Sequence, residues 1–300
     1  MIKKIFSSSF VLILLIFSCS SDSDDNSSEV WEQKSEMLTN WADNFIIPYY
    51  TTLTNKLENL EASANTFTIS RNQQNLENLR NSFINAYLSW QYVEMFDIGL
   101  AEETYYKSKM NIYPTTASKI ELNIQNGNTD FNNSNNFSAQ GFPALDYLLY
   151  GIETSDELII SKYNSDSRYL SHIYEIIDQM LQNTYPIVED WQNYRNPFIG
   201  SVRNTATSSV NKMTNDFIYY YEKGFRANKF GIPAGVFSGG ALPEKVEAFY
   251  NQNISKALAL ESFQAIKKFY NGDGGVSLRQ YISEVSTEEY SELSTDILDQ

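Results

Sequence analysis

Cysteine and histidine are almost absent. The 300 residues hold one of each. No disulfide can form within the chain, no structural zinc site of the Cys/His type can be built, and no metalloprotease pair of histidines exists. The one histidine, His172, stands in a helical pattern beside Ile173 and Ile176, a structural or solvent-facing position. Positive charge is scarce as well. Against 37 Asp and Glu there are 22 Lys and Arg, a net charge of −15. No basic patch interrupts this balance, so nucleic acid is excluded as a partner and anionic membrane surfaces are repelled. A cationic partner or a metal ion suits the charge better. No run alternates apolar and polar residues at strand period. No GxxxxGK loop and no HExxH pair is present, which leaves phosphate cradling and zinc proteolysis without their usual parts.

What is present begins with a targeting segment. Residues 1–18 carry Lys3 and Lys4 and then an apolar run, Phe10 to Phe17, too short to span a membrane. The run ends in Ile16-Phe17-Ser18-Cys19, which resembles the lipobox of bacterial lipoproteins. That resemblance implies cleavage before Cys19 and a lipid on its sulfur, hence an outer-membrane lipoprotein of the cell envelope, periplasmic or surface-exposed. Without the leader, 20 basic side chains face 37 acidic ones, near −17. Residues 19–28 are Ser, Asp and Asn after the cysteine and read as a solvated tether. The acidic run after Cys19 also resembles the surface-export signals of Bacteroidetes lipoproteins.

From Glu29 onward the apolar spacing is helical almost throughout. The expected fold class is all-α, with two helical-bundle halves packed together: residues 29–152 and residues 153–300. Pro48 should end or kink the first helix near Ile47. Ser70 with Gln73, Ser118 with Glu121, Thr154 with Glu157 and Ser286 with Glu289 read as capping boxes. Leu76, Leu79, Phe83, Ala86, Tyr87, Trp90 and Val93 form the clearest amphipathic face of the first half, with Glu94 and Asp97 at its far end. Pro186 should kink or end a long helix begun near Leu170, and a helix should follow Pro197. A Gly-rich loop, Lys229 to Leu242, precedes a helix opened by Pro243, which Asn271 to Gly275 should stop. The pattern reaches Gln300 with no stop signal, so a sequence cut short or a second half lacking its last helix is expected.

The chain is organised around Gly141-Phe142-Pro143-Ala144-Leu145-Asp146-Tyr147-Leu148-Leu149-Tyr150-Gly151. Pro143 suits a first helical turn, Asp146 lies in or near that turn, where the helix dipole favours a carboxylate, and Gly151 suits a C′ position. The stretch is either a buried connecting helix or the wall of a site. In the second case Gly141 would allow close backbone approach and Asp146 would be held near the core.

Three passages together resemble the imelysin family of bacterial exported proteins: Leu79 to Leu100, Gly141 to Gly151 and Lys229 to Tyr250, within a resemblance spanning about residues 40–285. It implies two helical halves with a site between them and a cell-envelope protein tied to iron uptake, with an outer-membrane uptake partner. The family was first described as peptidases. Its signature is a GxHxxE motif whose His and Glu are proposed metal ligands. Gly141 matches the Gly here, but Pro143 stands at the His and Asp146 at the Glu. Proline can neither ligate a metal nor move a proton, so the motif's usual metal chemistry cannot operate, and catalysis is not expected. The same variant resembles other Bacteroidetes members.

Three function classes follow. The leading one is a lipid-anchored binding protein for iron or another divalent or trivalent cation, with Asp146 and Glu247 as metal candidates and Glu94 and Asp97 near enough to join them if the halves pack as in the family. A peptidase would need a hidden carboxylate pair. A module for a non-metal ligand or partner would use Trp90, Lys229 and Gly231 to shape a pocket, with Lys245 and Glu247 at the start of the next helix.

Overall fold

The computed structural model describes residues 28–127 and 129–285. The leader, Cys19, nearly all of the tether and the expected last helix lie outside them. Among the described residues the structure is all-α, and no helix is long and apolar enough to cross a membrane.

The chain starts with α1 (Ser28–Asn40), a π-helical segment (Trp41–Ile46) and α2 (Ile47–Ile69), which together run as one rod. Pro48 does not end this rod. It sits in the first turn of α2, and the widened π turn before it takes up the missing N–H and the ring's clash with the preceding carbonyl. Helix α3 (Gln73–Trp90) returns along α2, and its buried face is the one the spacing marks: Leu76, Leu79, Phe83, Ala86, Tyr87 and Trp90. Its cap differs from expectation. Asn72, not Ser70, accepts the Asn75 N–H at 2.9 Å, because Ser70 is already the last bonded residue of α2.

Short helices α4 (Leu100–Glu103), α5 (Tyr106–Met110) and α6 (Ala117–Asn126) follow. Helix α6 starts after Thr116 with no side-chain cap, so the Ser118–Glu121 box does not form. Then comes α7 (Gly141–Asp146), which passes into a π turn over Tyr147–Gly151. Ser155, one residue beyond the expected Thr154, caps α8 (Asp156–Ser165). Helix α9 (Arg168–Gly200) keeps both Pro186 and Pro197 inside it. The helix expected directly after Pro197 begins later, as α10 (Ser209–Tyr219), with Ser208 as its cap.

A third π-helical segment covers Tyr220–Gly231 and a 3-10 turn covers Pro243–Lys245. Pro243 therefore opens a turn, and α11 (Gln252–Asn271) starts nine residues later. The chain is held off the helix by Ala248, whose φ is +56°, a left-handed conformation that costs a non-glycine residue about 1–2 kcal/mol. Gly272 ends α11 in the left-handed region, and α12 (Leu278–Val285) closes the described chain.

One hydrophobic cluster runs through the molecule. Helix α9 lies along α2, and Phe269 of α11 stacks on Trp41 with ring centroids 4.7 Å apart, so residues on both sides of position 152 fill the same core. His172 is buried within it against Phe131, and burial lowers its pKa, which favours the neutral ring. That is a structural role.

Candidate functional site

Two features meet between α7 and residues 243–251: a closed polar network and a small cavity. The route of α7 explains why they meet. Gly141 has φ +70°, and a Cβ on it would stand 2.1 Å from the Met110 carbonyl oxygen, so only glycine lets α7 press onto the end of α5. The π turn after α7 leaves carbonyls that outside side chains satisfy. Tyr163 donates to Leu148 at 2.5 Å, while Arg80 donates to Leu149 at 2.8 and 3.0 Å and pairs with Asp156 at 2.8 Å. Gly151 is not a left-handed C′ residue. Its missing side chain instead makes room for the Tyr250 ring, which a Cβ would meet at 2.2 Å.

Asp146 is the last residue of α7 rather than part of its first turn, and it is buried. Its carboxylate accepts the backbone N–H groups of Tyr250 at 2.8 Å and Asn251 at 3.0 Å. It thus holds the two residues leading into α11, where helix N–H groups lack internal partners. Burial pushes its pKa up to about 7; the two backbone donors pull it down and the Glu247 charge adds to the rise. Asp146 also lines a cavity of about 180 Å³ with Tyr113, Pro143, Glu244, Phe249 and Tyr250 among its walls.

The polar network lies beside this cavity. Lys229 points inward from the π segment Tyr220–Gly231, its side chain only 1% exposed. Its ammonium donates to Glu247 at 2.6 Å and to Gln91 Oε1 at 2.7 Å, with Glu94 at 3.3 Å. Asn111 Nδ2 donates to Glu247 at 2.8 Å and to Glu94 at 3.0 Å, and Gln91 Nε2 donates to Glu247 at 3.1 Å. Tyr220 donates to Glu94 at 3.1 Å, Ser262 to Gln91 at 2.6 Å and Tyr87 to Asn111 at 2.7 Å. Burial lowers the Lys229 pKa, but the charges of Glu247 and Glu94 outweigh it, so the net shift is upward and the ammonium is charged. Two carboxylates and one ammonium leave the buried cluster one negative charge in excess, which neutral donors stabilise.

The candidate residues thus divide. Glu94, Lys229 and Glu247 share the network, and Asp146, Pro143 and Glu247's neighbours Val246 and Ala248 line the cavity. Asp97 turns elsewhere and pairs with Lys107 at 3.1 Å. Trp90 is wholly buried against Tyr106 and lines neither feature. Gly231 ends the π segment and Lys245 sits half-buried in the 3-10 turn, both outside the network. Lys229 does border a second, apolar groove of about 490 Å³ with Phe225, Phe230, Leu260 and Phe263. Sequence reasoning missed Gln91, Asn111, Tyr113, Tyr220 and Ser262. Only Gln91 offered a signal: it lies one helical turn before Glu94 and next to Trp90.

The Imelysin family model matches residues 46–299. The chain belongs to the imelysin family. Two solved structures share its fold. One, an iron-regulated protein A precursor from Parabacteroides distasonis, has 14% identity and a TM-score of 0.72, covering 91% of this chain and 85% of that one. The other, an imelysin-like protein from Psychrobacter arcticum, has 20% identity and a TM-score of 0.69, covering 90% and 83%. No curated protein matches the chain.

As an imelysin, the chain is expected to offer metal ligands at the GxHxxE position, and its donors do not fit that task. Pro143 presents carbon where the histidine would stand. Both Asp146 oxygens already accept backbone N–H groups. The carboxylates of Glu94 and Glu247 close on the Lys229 ammonium, which fills the place a cation would take. Among the described residues no group of three or more His, Cys, Asp or Glu side chains could hold a metal ion.

Proposed function

We propose that this imelysin is a lipid-anchored protein of the cell envelope, tethered through Cys19, that serves an iron-related process by binding rather than by catalysis. The binding place is the cavity between α7 and residues 243–250, and an outer-membrane uptake protein is its partner. The iron connection is suggested by the name of the Parabacteroides distasonis relative. The binding reading rests chiefly on the closed network: the carboxylates of Glu94, Asp146 and Glu247 already have hydrogen-bond partners within the chain, Glu247 above all, so none of them stands free to ligate a naked metal ion. Ligand recognition falls instead to the walls of the cavity.

Calorimetric titration with ferric and ferrous iron, zinc and calcium tests this, run on the chain and on an Asp146→Ala variant. The expected result is no saturable metal binding that depends on Asp146. Stoichiometric binding lost in the variant would overturn the reading and place a metal at the motif. For the anchor, lipid labelling of the full-length chain in cells should vanish with Cys19→Ala. Labelling that persists would remove the anchor from the proposal.

One observation favours a second reading. A carboxyl titrating near neutrality in a cavity has the properties of a general base, and Asp146 is such a group. Hydrolysis of an unstructured protein substrate, lost in Asp146→Asn, would establish it.

A further inference from the structure

The cavity beside Asp146 has walls of two kinds. Phe249 and Tyr250 stand at a corner, ring centroids 5.1 Å apart and planes at 72°, and Tyr113 adds a third ring. The same lining carries two carboxylates, the buried Asp146 and the exposed Glu244. The network behind them adds a net negative charge through Glu94 and Glu247. Aromatic faces present negative potential and attract diffuse cations. A hard metal ion instead demands several free oxygen ligands, which the rings do not supply and Asp146 has already committed to Tyr250 and Asn251. An anion is repelled by every charge present in the lining, and a neutral apolar ligand brings no counter-charge to the two carboxylates.

We propose that this cavity is a receptor for a small organic ammonium ion, a primary or quaternary amine whose head group is enclosed by Tyr113, Phe249 and Tyr250 and balanced by Asp146 and Glu244. The proposal deepens the reading of the cavity as a binding site and does not depend on the iron connection. The tight seating of Tyr250 over Gly151 sets one wall, and the Asp146 bonds to the backbone of Tyr250 and Asn251 fix the corner before any ligand arrives. Such preorganisation lowers the ordering cost of binding.

The test is a calorimetric titration of the full-length chain with choline, with methylammonium and with 3,3-dimethylbutan-1-ol, the uncharged isostere of choline. At least one of the two ammonium probes should bind saturably. The alcohol should bind about tenfold or more weaker, or not at all. Glu244→Gln leaves the core untouched because Glu244 is exposed, and it should weaken the ammonium probe several-fold, as should Tyr250→Leu. Equal binding of choline and the alcohol would overturn the proposal, as would no saturable binding of either ammonium probe, or affinities unchanged in both variants. Failure here with a negative metal titration leaves the binding reading intact for another ligand class. A positive metal titration lost in Asp146→Ala sinks the binding reading's account of the motif, whatever choline does.

Discussion

Replacing Lys229 by Met tests the reasoning about the polar network most directly. The thioether matches the lysine stem in length but removes the charge, leaving Glu94 and Glu247 facing one another with only neutral donors between them: Asn111, Gln91 and Tyr220. Removing one partner of a buried ion pair costs about 3–5 kcal/mol. The lysine side chain is 1% exposed and the two glutamates 7% and 2%, so little solvent screening discounts that figure. The cost should also depend on pH with a definite sign. Without the ammonium, two carboxylates share a buried site, and folding takes up a proton there that the unfolded chain does not hold above about pH 5. The variant should then lose stability as the pH rises, by up to about 1.4 kcal/mol per pH unit for one proton. The parent has a raised Lys229 pKa, so that group's contribution is complete below the unfolded lysine value of about 10.4. It is lost only as the pH climbs through the folded value, above the range tested. Urea unfolding of both proteins at pH 5, 6, 7 and 8 provides the comparison, with Lys229→Met/Glu247→Gln as a third protein. The double variant should recover about 1 kcal/mol or more of the loss at pH 8 and show a shallower pH slope. A single-variant cost below about 1 kcal/mol, or one equal at pH 5 and pH 8, would refute the account of a charged, closed network.

Gly141→Ala should destabilise the fold by several kcal/mol or prevent expression, since its Cβ would lie 2.1 Å from the Met110 oxygen and that contact is with backbone that cannot swing aside; thermal melting of the variant checks it. Asp146 has a folded pKa raised to about 7 against an unfolded value of about 3.9. Its stabilisation is therefore complete below about pH 4 and lost as pH rises through about 7, and Asp146→Asn should flatten the pH–stability curve across that window. Trp90→Phe should cost less than Trp90→Ala by about 1–2 kcal/mol in urea unfolding, because the buried indole N–H has no hydrogen-bond partner to lose.

Much of the fold was legible because helical burial follows a local period. The face of α3 from Leu76 to Trp90 is the face that its spacing marks, and the run from Leu170 to Leu181 lies buried along α9. Where local signals misled, a neighbouring element had intervened. Pro48 and Pro186 do not break their helices, because a π turn and packing against α2 absorb them. Ser70 and Thr154 lose their caps to Asn72 and Ser155, a shift of one or two residues that packing decides. Pro243 opens no helix because Asp146, a hundred residues earlier in the chain, takes the N–H groups of Tyr250 and Asn251.

By itself the sequence determined the all-helical class, the excess of negative charge, the exclusion of an intrachain disulfide and of a Cys/His zinc site, and the loss of the motif histidine to Pro143. These follow from composition and from short-range spacing, which no partner can alter. The tertiary structure alone decided that Glu94 would be sealed inside while Asp97, three residues on, pairs with Lys107 near the surface. It also decided that Lys229 would serve as the cation for Glu94 and Glu247, and that Tyr113, Phe249 and Tyr250 would wall one cavity. The reason is separation along the chain. Gln91 and Glu247 meet across 156 residues and Asn111 and Glu247 across 136, and the burial of a polar side chain depends on what folds over it, which no local period records.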